Sequence, residues 1–440
     1  MASQKRVILS KDIYHGLPEF SDDIAGLTAI VTGANGISGD HMLRVLCESP
    51  KRWKKIYALS RRPPNGEWPS YVEHVSMDFL KSPEELAAQI KEKGIKSDYV
   101  FFFSYIQPAP KEGGGIWSAA EELVKVNSKL FASSIGGYQM LIRTAALLQN
   151  FLEALALSNT VPKTVLLQLG AKYYGVHLGP TTVPQEESDP RVLLEPNFYY
   201  TQEDVLKDFA QKHNSNWVTT RPSWVPGAVP DAAMNLCLPL AIYAIVQKHL
   251  GQPLEFPADL TAWETQQTMS SAQMNCYLSE WAVLTAGAQN ESFNAGDDCA
   301  FTWGKFWPKL AAKYQIPWKG PELDPSVFSE IETRHNPPPR GFGSPGKMRF
   351  KFTLAEWAKK PEVQNAWKQI AAKHDLRQKE LWDIDRVFGF TDAAIAIPYP
   401  ISYSTTKAKK LGFFGFVDSY ESIFKVFNEF VDMKMIPKLP

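Results

Sequence analysis

Cysteine is scarce. The four present (Cys47, Cys237, Cys276, Cys299) are widely spaced, which fits neither a disulfide framework nor a zinc site; no metal is expected. An excess of either charge is also missing: Lys+Arg and Asp+Glu are both 47. Binding a phosphate backbone draws on a basic surplus, so nucleic acid is not expected as a main partner. Long apolar runs are missing too. The longest, Leu236 to Val246, contains Pro239 and reaches about half of the roughly 20 residues that span a bilayer. The opening residues lack the apolar core of a signal peptide, and the closing Lys-Met-Ile-Pro-Lys-Leu-Pro matches no retention, peroxisomal or prenylation signal. The Asn290-Glu291-Ser292 sequon, without a secretory signal, reads as chance. Together these absences give the expectation of a cytoplasmic protein with no membrane span. There is no Gly-x-Ser-x-Gly elbow, no His-Glu-x-x-His and no P-loop, so the commonest hydrolase and nucleotide-triphosphate chemistries are excluded.

What is present is a globular composition, 44% hydrophobic and 21% charged. Aromatics reach 12%, with 13 Trp and 25 Phe, enough to line a large apolar pocket or to build cores. Strand and helix signals alternate through the first part of the chain. Leu27 to Thr32 is an apolar, β-branched run that ends at glycine, as a buried parallel strand does. Further strands are predicted at Lys55 to Leu59, Val72 to Met77, Tyr99 to Tyr105, Thr164 to Gln168 and Trp217 to Thr220, with a helix over Ile37 to Leu46. Strands separated in this way imply βαβ crossovers and a parallel sheet. After about residue 228 helical patterns dominate: Met234 to His249, Ala272 to Ala288, Trp303 to Tyr314 and Thr353 to Lys373. The stretch Asn336 to Lys347, rich in Pro and Gly, is predicted to be a loop. The expected fold is therefore α/β, a Rossmann-type doubly wound parallel sheet with a mainly helical C-terminal substrate lobe. The expected organisation is an extension over 1–26, a dinucleotide-binding domain over 27–227, and a substrate lobe over 228–440 whose Trp263, Phe350 and Phe414, with Trp224, help to wall an apolar cleft. The loop Gln107 to Trp117, with Gly113-Gly114-Gly115, follows the fourth strand at the mouth of that cleft. It reads equally as a substrate cap or an ordinary surface loop.

Thr32-Gly33-Ala34-Asn35-Gly36-Ile37-Ser38-Gly39 joins the first strand to the first helix. Gly33 permits a tight turn, Gly36 lets a pyrophosphate approach the backbone, and Gly39 allows the helix to pack closely on the strand. Thr32, Gly33, Asn35, Gly36 and Ile37 are the candidate phosphate-side contacts, at a helix N-terminus suited to anions. An NAD site usually places Asp or Glu at the end of the second strand. This chain has Ser60-Arg61-Arg62, two guanidiniums suited to a 2′-phosphate, which points to NADP(H). Asp78, after the third strand, is open between two roles: capping a helix, or accepting a hydrogen bond from the adenine amino group.

The Tyr-x-x-x-Lys pair of ordinary short-chain dehydrogenases is missing from the helix after the fifth strand. That segment reads Asn197-Phe198-Tyr199-Tyr200-Thr201-Gln202-Glu203-Asp204, with acid at the lysine position. A lysine stands instead just after the fifth strand, in Leu169-Gly170-Ala171-Lys172-Tyr173-Tyr174. With the glycine turn, Arg61-Arg62-Pro63, Arg221-Pro222, Met234-Asn235 and Gly412-Phe413-Phe414-Gly415-Phe416, these residues resemble the atypical short-chain dehydrogenases of the progesterone 5β-reductase and iridoid synthase family, over about residues 27 to 430. The resemblance implies reduction of an enone by NADPH, with Tyr199 as catalytic tyrosine, Tyr200 adjoining it in an open register, and Lys172 as the displaced lysine. It implies that the phenol stabilises the enolate oxygen, while Lys172 binds the nicotinamide ribose and favours tyrosine ionisation. Lys172-Tyr173-Tyr174 departs from the family's Lys-His-Tyr, and Leu169 stands where Thr is usual. The expected partner is a hydrophobic small molecule, terpenoid, steroid-like or polyketide; a homodimer is left open. Direct ketone reduction, cyclisation or isomerisation on the same fold, and a non-catalytic NADP(H) sensor, remain alternatives.

Overall fold

The computed structural model describes residues 8–106 and 147–438; the Gln107 to Trp117 loop lies outside them. The chain opens with an antiparallel hairpin, β1 (Ile8–Lys11) and β2 (Tyr14–Pro18). The central sheet then begins with β3 (Leu27–Thr32), β4 (Trp53–Ser60), β5 (Val72–Ser76), β6 (Tyr99–Phe102), β7 (Thr164–Gln168) and β8 (Asn216–Pro222). Two short lobe strands pair in parallel, β9 (Leu254–Glu255) and β11 (Trp318–Lys319). Between them β10 (Glu291–Ala295) returns to the main sheet beside β8. The main sheet has seven strands in the order β10-β8-β7-β6-β3-β4-β5, and each neighbouring pair is parallel.

Alternation along β3 shows why it lies inside: Ile30 enters the core on one face, Ala29 and Val31 the core on the other. On the first face pack α2 (Pro83–Glu92), α3 (Leu147–Leu157) and α4 (Phe198–His213). On the other face α1 (Ile37–Cys47) packs beside a later helix, α6 (Ala272–Leu284). This is the expected doubly wound Rossmann-type layer arrangement. Strand β6 is shorter than its sequence suggests. Its apolar run continues to Tyr105, but the Thr32 hydroxyl accepts hydrogen bonds from the N–H groups of Phe103 and Ser104 at 3.0 and 3.2 Å, which takes those donors off the ladder.

The C-terminal part contains α5 (Cys237–Leu250), α7 (Trp303–Tyr314), α8 (Pro361–Lys373), α9 (Ile384–Ala396) and α10 (Ser419–Asp432). The helix expected over Thr353 to Lys373 is broken in two. A short turn, Leu354–Ala358, has a Thr353/Glu356 capping box, and Pro361 starts α8 at its first position, where a missing N–H costs nothing. Most lobe aromatics build a core of their own, with Trp303, Trp307, Trp357 and Trp367 buried together. Trp224 borders both this core and the sheet core. Trp263 stacks on Trp318 at 5.8 Å, and Phe350 pairs with Ala258 across the lobe. Phe414 is 42% exposed, and its carbonyl closes onto Gly16 of the opening hairpin.

The division expected at 227/228 does not separate the layers. Both β10 and α6 follow it and belong to the α/β unit, and the segment from Ile397 returns Ile397, Tyr399 and Ile401 to the sheet-side core. A last antiparallel hairpin, β12 (Ser329–Glu332) and β13 (Lys347–Phe350), flanks the Pro/Gly-rich segment, which is a loop as expected. No helix among the described residues is long and apolar enough to cross a membrane.

Candidate active site

The glycine turn sits at the C-terminal edge of the sheet, where parallel α/β folds bind ligands. Gly33 has φ +63°, and a Cβ there would meet the Phe103 carbonyl at 3.0 Å. A Cβ at Gly39 would collide with the Gly33 carbonyl oxygen. Both positions therefore need glycine, one for its left-handed backbone and one for helix-on-turn packing. A Cβ at Gly36 would meet, among the described residues, just the Gly33 oxygen at 3.3 Å. Gly36 is also the N-cap of α1 and supplies no side-chain acceptor, so no cap side chain satisfies the first-turn donors of Ile37 and its successors. Asn35 and Ile37 are both half-buried on this turn. Thr32, by contrast, is fully buried and holds the loop after β6, as described above.

At the end of β4, Ser60 donates to the Arg62 carbonyl at 2.6 Å and Ser76 donates to the Arg61 carbonyl at 3.2 Å. The backbone of the basic turn is thereby fixed while both guanidinium side chains are exposed. The residues fit a dinucleotide: a glycine cradle that a Cβ would fill, and two exposed cations one strand away. Asp78 is not a helix cap. Its carboxylate accepts from the Leu80 N–H at 3.1 Å, closing a turn, and α2 is capped by Ser82 in a box with Glu85.

Lys172 lies in a short 3₁₀ turn, Ala171–Tyr174, directly after β7. Gln168, the last residue of β7, donates to the Ser38 hydroxyl of the glycine turn at 2.9 Å, so the turn bearing Lys172 is tied to the cradle. Asn197 performs two tasks with one amide. Its oxygen accepts from the Tyr199 N–H at 3.1 Å and caps α4, while its nitrogen donates to the Lys172 carbonyl at 2.9 Å. Lys172 Nζ lies 5.3 Å from the Phe198 ring centre, and the Phe198 ring lies 4.3 Å from that of Tyr199. The lysine and the tyrosine thus flank one aromatic ring. Burial lowers the Lys172 ammonium to about 8, against the pull of the Glu195 carboxylate. Burial also pushes the Tyr199 phenol up from its ordinary value. A Cβ on Gly170 would stand 2.9 Å from the Tyr199 hydroxyl; glycine there leaves the hydroxyl its room.

The two tyrosines differ. Tyr200 donates to the Tyr173 carbonyl at 2.6 Å and accepts from the Val192 N–H at 2.8 Å. Tyr199 has no hydrogen bond from its hydroxyl to any described residue, and its neighbours are Gly170, Phe198 and Tyr105. Glu203 occupies the place where a Tyr-x-x-x-Lys helix carries its lysine, and it is buried. It accepts from Tyr173 at 3.1 Å and Arg191 at 2.6 Å, and pairs with Arg221 at 3.3 Å. Burial works to raise its carboxyl, but the Arg191 bond and the charges of Lys207 and Arg221 hold it below the usual range. Arg221, at the end of β8, donates to Tyr174 and to the Glu187 carbonyl, both at 3.2 Å, and its guanidinium stacks 3.5 Å from the Tyr173 ring centre. A buried network thus braces the turn, the strand and the helix behind the candidate pair.

Sequence reasoning missed four contributors. Tyr105 is 5.7 Å from Phe198 between ring centres. Tyr403 donates to the Pro222 carbonyl at 3.2 Å, and burial raises its phenol. Asn197 and the Glu203–Arg221 pair are the others; both stood inside quoted motifs, but their pairing across the fold has no signal in spacing.

Residues 138–334 match the family model described as the PRISE-like Rossmann-fold domain. The chain is 27% identical over 420 residues to the 3-oxo-Delta(4,5)-steroid 5-beta-reductase of Arabidopsis thaliana, covering 93% of each protein. It is also 27% identical over 418 residues to the (S)-8-oxocitronellyl enol synthase of Catharanthus roseus, covering 93% of this chain and 92% of that one. Among solved structures, the Bordetella bronchiseptica enzyme WbmG, in complex with NAD and UDP, superposes with a TM-score of 0.54 at 12% identity, over 93% of this chain and 95% of that one. That likeness speaks for the fold. The resemblance read from the motifs and the Rossmann-type fold are both borne out, and a relative named as a reductase supports the expected oxidoreductase.

Proposed function

We propose that the protein is an NADP(H)-dependent reductase of an α,β-unsaturated carbonyl in a hydrophobic small molecule of terpenoid, steroid-like or polyketide class. The observation that carries this reading is the meeting of Lys172 and Tyr199 across the Phe198 ring, on a turn tied to the glycine cradle through Gln168 and Ser38. The names of the two relatives, a steroid reductase and an enol synthase, support the same substrate class. NADPH, when bound, supplies the hydride that reduces the β-carbon. Gly33, Gly36 and the first turn of α1 hold the pyrophosphate, and Arg61 with Arg62 bind the 2′-phosphate through charge-assisted bonds. Lys172 holds the nicotinamide ribose. Tyr199, a phenol kept protonated by burial, donates to the substrate carbonyl as negative charge grows there, which is where a placed donor lowers the barrier most. Tyr105, Phe198 and Tyr403 supply an aromatic, water-poor surround of the kind ligand pockets use. The region after 228 contributes Tyr403 and acts as the substrate lobe.

The test is cofactor consumption against a panel of enones and ketones, with product identification, run with NADPH and with NADH. Saturation of the carbon–carbon double bond with NADPH is expected. An allylic alcohol as product would replace enone reduction with ketone reduction. Equal use of NADH would overturn the role given to the arginines, and no turnover of any carbonyl compound would sink the reading.

A further inference from the structure

A carboxylate is buried beneath the glycine cradle. Asp40 stands in the first turn of α1, and its N–H donates to the Gly36 carbonyl at 2.9 Å. It is thus stacked one turn below the cradle glycine, and it is 2% exposed. Its Cα–Cβ bond, like every helical one, tilts back toward the helix N-terminus. A carboxylate in a first turn suits the helix dipole. Here the same turn is the proposed seat of a diphosphate, and the two anions compete for it.

Asp40 Oδ2 pairs with Arg44 Nη2, one turn on, at 2.7 Å. The other guanidinium nitrogen, Nη1, reaches Glu429 of α10, also at 2.7 Å. One cation therefore serves two carboxylates. The other titratable groups around Asp40 do not redress the balance. His41 donates from Nδ1 to the Ile37 carbonyl at 2.8 Å. Burial, then the Arg44 charge, lowers its imidazole to about 3, so it is neutral. Cys276, facing from α6, is a thiol raised by burial well above its ordinary value. Lys425 of α10 is taken by Asp12 at 2.8 Å. Asp40, Arg44 and Glu429 are left with one net negative charge.

We propose that Asp40 sets the affinity of the protein for its dinucleotide: with Arg44 shared between it and Glu429, its buried carboxylate opposes the pyrophosphate and keeps the cofactor exchangeable. The proposal rests on the place given to the pyrophosphate under the proposed function. Like charges repel most strongly where water is excluded, and each disfavours ionisation of the other. Burial already lifts the Asp40 carboxyl to about 6, against the charge and hydrogen bond of Arg44, with Glu429 adding to the lift. At neutral pH Asp40 is mainly ionised. A bound dinucleotide lifts it further, so binding draws a proton from solvent onto Asp40, and affinity rises as pH falls toward 6.

The experiment is isothermal titration of NADP⁺ into the full-length protein at pH 8 and pH 5.5, and at pH 7 in two buffers of different ionisation enthalpy. Asp40→Asn keeps the size of the side chain and removes its charge. It should bind NADP⁺ about 3–10-fold more tightly than the wild type at pH 8, the effect of one screened charge. At pH 5.5, where the wild-type carboxyl is itself protonated, the two should bind alike. Titration of the ligand's 2′-phosphate is common to both proteins and drops out of the comparison. At pH 7 the wild type should take up more protons on binding than Asp40→Asn. Glu429→Gln, at a side chain 20% exposed, removes the more distant anion and should tighten NADP⁺ at pH 8 by less. A purely structural role would weaken binding, or change it alike at both pH values. Equal affinity of Asp40→Asn and wild type at pH 8, or a gain undiminished at pH 5.5, overturns the proposal. Should Asp40→Asn fail to fold, unchanged NADP⁺ affinity and proton uptake in Glu429→Gln overturn it instead. If the wild type binds neither NADP⁺ nor NAD⁺, the cofactor reading falls and this proposal with it, whereas binding without the Asp40 effect leaves that reading standing.

Discussion

Tyr199 and Tyr200 are chemically identical neighbours in opposite situations. The Tyr200 hydroxyl makes two hydrogen bonds to backbone groups, and that of Tyr199 rests against a glycine. Tyr199→Phe should therefore lower turnover by about 10²–10³, the usual effect of removing one oxyanion donor, with NADPH affinity and melting temperature little changed. Tyr200→Phe should do the reverse, costing about 1–3 kcal/mol of stability by stranding its buried partners, as read by urea denaturation. Lys172 yields a prediction of the other sign. Its folded value, about 8, lies below the ordinary 10.5, so the fold pays for a buried ammonium at neutral pH and is relieved as pH rises. Lys172→Met should stabilise the fold at pH 7, by on the order of 3 kcal/mol at most given about 1.4 kcal/mol per tenfold in protonation, read by urea denaturation. That advantage should fade between pH 8 and pH 10.5, and an unstabilised variant at pH 7 would refute it. Gly33, Arg61, Lys172 and Tyr199 were nameable from the sequence because each stands in a short local pattern. Tyr403 and Glu203 were not, because what gives them meaning is a partner reached through tertiary folding.

At the scale of elements, strands β3 and β7 coincide with their sequence runs because each is a short β-branched or apolar stretch ended by a chain-turning residue. β10 escaped notice because Glu-Ser-Phe-Asn-Ala carries no two-residue alternation strong enough to mark it. β6 was overextended because its apolar run does not reveal that Thr32 captures the next two amides. The helix expected through Thr353 to Lys373 broke at Pro361, a residue whose ring should have split the prediction. The brace behind the site is also an element-scale object, because Glu203 on α4 is the anion between Arg191 and Arg221 at the end of β8. Glu203→Gln leaves two guanidiniums facing a neutral amide and should cost about 3–5 kcal/mol, measurable as a lower urea midpoint at unchanged slope. A loss below about 1 kcal/mol would mean that the network is dispensable.

For the whole molecule, the consequence is cooperativity between regions that the sequence divides at residue 228. β8 pairs with β10, one face of the sheet is covered by α6, and the Ile397 segment fills the core on the other. A fragment of residues 27–227 would leave the β8 edge open and an apolar face bare, a recipe for association. It should be recovered as aggregate or as a partly folded species with weak tertiary signal. A soluble fragment with a sharp thermal transition would show that the division is real.

Where a tyrosine and a lysine share one helix, one turn apart, their separation is fixed by the helix itself. Here the amine arrives on the turn after β7 and the phenol on α4, and the two meet through Phe198 and the Asn197 clamp. Their spacing is therefore an inheritable variable: single replacements at Gly170, Asn197 or Phe198 can widen or narrow the gap while each backbone element stays intact. Under the proposed function, such an arrangement would let selection retune one catalytic frame for carbonyl compounds of different girth without rebuilding the cofactor cradle beneath it.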